Sequence, residues 1–158
     1  ADTGEWMWRQ VFPTDFRDPY GYSNGPRCSP LVTKDKIYTF GSNGRLSCLN
    51  LENGHVLWTR DTNEEFDIPP AFFGVGSTPV LEGNLLLVMI GGQPNSGVVA
   101  FNAHNGEVVW ENVGSDAWDM KGKPGKNDPK LASYSSLVVR EIHGKRHLLA
   151  PMLSLIPI

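Results

Sequence analysis

The sequence predicts an all-β protein made of β-propeller blades of four antiparallel strands, about two full blades with partial blades on either side. Three observations carry this. An eight-residue phrase occurs at Ala1–Trp8, Leu51–Trp58 and Ala103–Trp110, each time with a glycine, three residues and then a tryptophan. The tryptophans Trp8, Trp58 and Trp110 stand 50 and 52 positions apart, and a period of that size marks a solenoid, propeller or array. Each repeat holds four short strand-like runs and no helical periodicity, which is the make-up of a propeller blade.

The phrase itself reads as a hairpin. Asn53-Gly54 and Asn105-Gly106 supply the positive φ angles of a tight turn. Val56-Leu57-Trp58 and Val108-Val109-Trp110 follow as apolar runs with strand propensity. The tryptophan is the large body on which a neighbouring unit packs. Its burial of about 200 Å² corresponds to roughly 5 kcal/mol as an upper bound. Two ordinary hairpins, each with a tryptophan, would be the simpler reading, but the similarity extends well beyond the hairpins.

In chain order, Ala1 to Val11 reads as the last strand of a preceding blade, with Gly4 and Trp8 at the repeat positions. Arg9 to Pro26, rich in Asp, Pro, Gly and Tyr, is a long loop. The first blade spans residues 25–61: Cys28 to Val32, Lys36 to Phe40, Arg45 to Asn50 and Val56 to Arg60, with turns at Lys34-Asp35 and Gly41–Gly44. The second spans 74–113. Ser77 to Leu81 aligns with Cys28 to Val32, and Leu85 to Ile90 is an unbroken apolar run that predicts burial on both faces. Gly91 to Gly97 reads as a loop longer than its counterpart, before Val98 to Asn102 and Val108 to Trp110. An incomplete blade occupies 131–158, with strands at Tyr134 to Val139 and His147 to Met152 around a turn at Ile142 to Arg146.

Composition bounds the function classes. The chain has 158 residues, 40% hydrophobic and 20% charged, with a net charge of −3. That is one domain's worth of globular sequence without the basic footprint of a nucleic-acid binder. No apolar stretch reaches the length of an integral membrane segment. The first residues are polar, so no signal peptide is visible in the given chain. Cys28 and Cys48 fall on the expected first and third strands of one sheet, roughly 10 Å apart at a strand spacing of ~4.8 Å. That is too far for a bridge, so they read as small buried apolar residues.

The run Leu49-Asn50-Leu51-Glu52-Asn53-Gly54-His55-Val56-Leu57-Trp58, with its copy from Phe101 to Trp110, resembles the pyrroloquinoline-quinone (PQQ)-type propeller repeat. The family more often has Asp where Asn50 and Asn102 stand. Asp18 to Arg27 and Phe72 to Pro79 resemble segments of bacterial PQQ-binding-like repeat proteins. The resemblance covers roughly residues 1 to 152 and implies a fragment or truncated form of such a protein, periplasmic or extracellular. The repeat is shared by quinone-dependent alcohol and sugar dehydrogenases and by non-catalytic propellers, including outer-membrane assembly lipoproteins and sensor domains. The dehydrogenases use PQQ with Ca²⁺, a catalytic Asp and in many cases a disulfide between adjacent cysteines. This chain has no adjacent cysteines, and no Glu, Asn and Asp set falls on matching positions, so no catalytic residue and no metal ligand is assigned. The expectation is a non-catalytic scaffold or a ligand- or protein-binding module. The alternative is a piece of a PQQ-dependent oxidoreductase. Its partners would be other copies of itself or the missing blades of a longer chain.

Ligands of propellers usually sit over the central channel, reached by the loops that lead into the innermost strands. Here these are Arg9 to Arg27, Asp61 to Gly76 and Glu111 to Ser133, and loops of such length are often functional. Tyr22, Asn24 and Arg27 in the first, Phe72 and Phe73 in the second, and Trp118 and Tyr134 near the third are the candidate pocket residues. Aromatic walls with a few polar groups suit a flat cofactor or a sugar; the competing reading is that Tyr22, Phe73 and Trp118 pack the loops onto the blades. The histidines His55, His104, His143 and His147 sit at turns and read as solvated. Asp116 and Asp119 lack further oxygen ligands for a cation. The lysines at 121, 123, 126 and 130 read as a solvated basic loop. Gly74-Val75-Gly76 and Gly122 to Lys126 open no helix and are not phosphate loops.

Overall fold

The computed structural model describes residues 3–68, 74–112 and 134–150. Among these are two antiparallel four-stranded sheets and one two-stranded sheet, each running in sequence order. The first sheet is β1 (Leu31–Val32), β2 (Lys36–Phe40), β3 (Arg45–Asn50) and β4 (Val56–Asp61). The second is β5 (Val80–Glu82), β6 (Leu85–Gly92), β7 (Ser96–Asn102) and β8 (Val108–Asn112). The third pairs β9 (Val138–Ile142) with β10 (Lys145–Leu149). These are propeller-like blades, as the repeat predicts.

Alternation along the strands decides how the sheets stack. On β2 and β3, Tyr38 pairs with Cys48 and Phe40 with Leu46. All four are buried and pack against Leu86, Val88, Ile90, Val99 and Phe101 of the second sheet. The intervening residues Leu87, Met89, Val98 and Ala100 face the other way and pack with Leu137, Val139 and Leu148 of the third unit. The run Leu86 to Ile90 is unbroken because both of its faces are core, and every residue in it is at most 4% exposed.

The Asn-Gly hairpin is built differently from a two-residue turn. Gly54 and Gly106 do take positive φ, at 72° and 76°, but Asn53 and Asn105 do not. Instead Asn50 closes a wider turn. Its Oδ1 accepts from Glu52 N at 2.9 Å and Asn53 N at 3.1 Å, and its backbone carbonyl accepts from Gly54 N at 2.9 Å. Asn102 repeats this, with Oδ1 accepting from His104 N at 2.9 Å and its carbonyl from Gly106 N at 2.8 Å. Any short side chain with an Oδ acceptor serves here, which is the physical reason Asp and Asn exchange at the position.

Several strand boundaries shift. β1 starts at Leu31, so Cys28 precedes the strand rather than lying on it; both thiols are free, with Cys48 buried and Cys28 half-buried. Gly91 to Gly97 is not a loop: β6 runs on through Gly92 and β7 begins at Ser96, with a bulge between Met89 and Gly92. Gly91 at φ 75° supplies the irregular backbone that the bulge needs. The third sheet is displaced along the sequence, with β9 later than Tyr134 to Val139 and β10 earlier than His147 to Met152, because the turn tightens to His143-Gly144. A single-turn helix α1 (Thr62–Glu65) follows β4, capped by the Asp61 carboxylate on Asn63 N and Glu64 N. It is too short to give a periodic signal. Trp6 to Val11 pairs with no strand among the described residues.

Candidate functional site

The segments that lead into β1, β5 and β9 come together. Asp18 organises the first. Its side chain is fully buried, and Oδ1 accepts from Tyr20 N at 2.8 Å. Oδ2 accepts from Tyr22 N and Ser23 N, both at 3.1 Å, and from Arg27 Nη2 at 2.9 Å. Asn24 Oδ1 returns a bond from Asp18 N at 2.9 Å, and Arg27 also donates to Ser23 O. These donors hold the Asp18 carboxyl down from 3.8 to about 2. The Tyr20 N–H contributes most, burial works against it, and Arg27 adds its hydrogen bond and charge.

Gly76 is the meeting point of the three segments. A Cβ placed there would stand 3.0 Å from Tyr134 Cδ1 and 3.1 Å from Arg27 Cβ. Thr78 N donates to Ser136 Oγ at 3.3 Å. The structure therefore brings together Arg27 and Tyr134 of the predicted residues, with Asn24 tied to the same loop through Asp18. Tyr22 stands apart: it is 80% exposed, its ring centroid 5.9 Å from that of Tyr20. Phe72, Phe73, Trp118, Asp116, Asp119 and the lysines at 121–130 lie outside the described residues. His55, His104 and His143 are exposed and His147 is half-buried.

Two residues that matter escaped the sequence reading. Asp18 carries the loop; an Asp followed by Pro-Tyr-Gly is a turn initiator whose carboxylate can accept from the backbone ahead of it. Tyr38 carries the seam between sheets, its hydroxyl donating to Ala103 O at 3.0 Å, and alternation alone marks it only as core.

That seam explains the repeated phrase. Trp58 Nε1 also donates to Ala103 O, at 3.2 Å, and its indole lies over Gly106, where a Cβ would come within 2.8 Å of Cε3. Trp8 repeats the arrangement one unit earlier, with Nε1 on Leu51 O at 2.8 Å and its ring over Gly54. The glycine turns toward its own sheet's chain reversal while leaving a flat backbone surface for the previous tryptophan. Gly4 has the same positive φ, and nothing lies within 4 Å of its Cβ position. Trp110 packs on the cluster formed by Met89 and Leu137.

What the mouth can do chemically follows from how its polar groups are used. Asp18 is spent on four donors, and Arg27 Nη2 on Asp18 and Ser23. Among the described residues no three His, Cys, Asp or Glu side chains converge as metal ligands. A cavity of about 450 Å³ lies between Trp8–Thr14 and the first sheet, with Asn24 of the mouth loop and Ile37, Thr39, Arg45 and Leu49 of the sheet in its wall.

The family described as outer membrane protein assembly factor BamB matches residues 1–124. BamB of Shewanella oneidensis is 37% identical over 59 residues, which is 35% of this chain and 15% of that protein. Among solved structures, quinohemoprotein alcohol dehydrogenase from Comamonas testosteroni aligns with 52% of this chain and 12% of its own, at 22% identity and a TM-score of 0.42. BamB from Moraxella catarrhalis aligns over 56% and 38%, at 20% identity and a TM-score of 0.32. The chain spans well under two thirds of the length of each of these relatives. No helix among the described residues is long and apolar enough to cross a membrane. The chain belongs to the family of PQQ-like repeat proteins that includes the assembly factor BamB.

Proposed function

We propose that this chain is part of a non-catalytic β-propeller that serves as a scaffold for other proteins, working in the periplasm or outside the cell. The observation that carries this reading is the commitment of the polar groups at the mouth. Asp18 and Arg27 hold each other and the loop backbone, and Asn24, which also lines the cavity beside the first sheet, accepts from Asp18 N. A mouth built this way presents a fixed surface, with Tyr20 and Tyr22 outermost. The name of the matched family, an assembly factor for outer membrane proteins, agrees with a surface that holds other chains.

In this reading residues 1–11 supply the outer strand of a preceding blade, 25–61 and 74–113 are whole blades, and 131–158 opens a further one. The remaining blades come from a longer chain or from other copies of this one.

The test is the solution mass by light-scattering chromatography, with and without PQQ and Ca²⁺. A defined species whose mass and elution ignore both additions supports the scaffold. A chain that becomes ordered only with quinone and calcium contradicts it and makes the chain a piece of a quinone enzyme's cofactor domain.

A further inference from the structure

Asn24, Asn43, Asn53 and Asn105 each precede a glycine. In such a pair the glycine N can close on the asparagine side chain, because a residue without Cβ leaves that approach open. Closure requires the glycine peptide to move, and the four peptides are held differently.

Three are locked. Gly44 N donates to Gly41 O at 2.9 Å, Gly54 N to Asn50 O at 2.9 Å and Gly106 N to Asn102 O at 2.8 Å. All three glycines have positive φ, and each carries a neighbour's side chain: Asn63 lies on Gly44, Trp8 on Gly54 and Trp58 on Gly106. Moving one of these peptides breaks a backbone bond and displaces the group above it, so it needs local opening of the turn.

Gly25 is the exception. It is outside the positive-φ region, and its N donates to Ser23 Oγ at 3.1 Å, a hydroxyl that can rotate away. Among the described residues, that same Oγ, at 3.3 Å, is all that a Cβ at Gly25 would meet beyond its chain neighbours. Asn24 is exposed, and both residues border the cavity beside the first sheet, so the pair has room and water. Asp18 N donates to Asn24 Oδ1 at 2.9 Å, which favours the charge that this oxygen gains as a ring closes. Asn53 Oδ1 and Asn105 Oδ1 accept from backbone N–H groups too, so the freedom of the glycine is what separates Asn24 from them.

We propose that Asn24-Gly25 is a site of spontaneous deamidation, which gives the mouth loop a covalent ageing mark. Gly25 N bonds to Asn24 Cγ, the Cγ–Nδ2 bond breaks, and the Gly25 N–H proton leaves with that nitrogen as ammonia. Water then opens the cyclic imide. Opening at Cγ gives aspartate, and opening at the main-chain carbonyl gives isoaspartate, which lengthens the backbone by one methylene ahead of Arg27. Either product adds a carboxylate beside that of Asp18, and like charges disfavour each other. The proposal stands on this loop alone and does not depend on the scaffold reading.

The intact chain is aged in mildly alkaline buffer, folded and in urea, and the four sites are followed by peptide mass spectrometry. In the folded protein position 24 should convert faster than positions 43, 53 and 105 by about tenfold or more. In urea, where no turn is held, the four rates should draw together. A position 24 that converts no faster than the others in the folded chain overturns the proposal. The second measurement is made on Asn24→Asp. The amides of Tyr22 and Ser23, which Asp18 Oδ2 holds, should shift, and the titration of Asp18 should move to higher pH. A loop that keeps both unchanged overturns the effect of the mark on the mouth.

Discussion

Gly106→Ala and Gly83→Ala place the same methyl in the same sheet under nearly the same backbone demand. Both glycines have positive φ, 76° and 59°, so each alanine costs about 1–2 kcal/mol in strain. The surroundings differ. At Gly83 nothing lies within 4 Å of the new Cβ, whereas at Gly106 it meets Trp58 Cε3 at 2.8 Å and Cδ2 at 2.9 Å. The indole must move off the turn, an overpacking cost of about 1–3 kcal/mol. Its movement also strains the bond from Nε1 to Ala103 O, itself worth about 1 kcal/mol. Gly106→Ala should therefore be about 2 kcal/mol worse than Gly83→Ala. At an m-value of about 2 kcal/mol/M this separates their urea midpoints by about 1 M. Tryptophan fluorescence is the readout, because Trp58 should also become more exposed in the native state of Gly106→Ala alone. Equal midpoints for the two variants would refute the view that the tryptophan of one unit is seated on the glycine of the next.

Tyr38→Phe should cost about 1 kcal/mol, since Ala103 O keeps its bond from Trp58 Nε1; combined with Trp58→Phe, which leaves that buried carbonyl bare, the loss should exceed the sum of the single losses in a double-mutant cycle. Burial pushes the Tyr38 hydroxyl up to about 12. The protonated form is thus the one the fold favours, and the contribution present below pH 10 is lost as pH rises toward 12, which absorbance near 295 nm should show as one late-titrating tyrosine. Asp18 has the opposite sign. Its depressed pKa, about 2 against 3.8, gives stabilisation that is complete above about pH 4 and disappears as pH falls toward 2. The amides of Tyr20, Tyr22 and Ser23 should shift together over that range in NMR spectra, and Asp18→Asn should remove the transition.

The sheets were legible because two periods coincide in the chain. Alternation from Ile37 to Phe40 places Tyr38 and Phe40 on one face, and the 52-residue spacing of Trp58 and Trp110 shows that the same unit returns. The turn after Asn50 was misread because the glycine's positive φ is visible in sequence, while the acceptor role of Asn50 Oδ1 depends on where the chain turns next. Gly91 and Gly92 looked like loop residues, yet a bulge lets the strand absorb them. At the mouth, Arg27 and Tyr134 were picked as aromatic and cationic loop residues, but their neighbour Gly76 is silent in sequence, since its role is to have no side chain. Asp18 was passed over because its partners are backbone N–H groups, which no residue pattern displays.

Amide hydrogen exchange tests most directly whether the successive sheets form one stacked body. With Tyr38, Phe40 and Leu46 packed on Leu86, Val88 and Phe101, β2, β3, β6 and β7 should exchange slowest and with a common free energy, and β4 and β8, none of whose residues is buried, should exchange faster. Separate free energies for the first and second sheets, each unchanged by Gly106→Ala, would contradict the account, because the sheets would then be independent units joined only by chain.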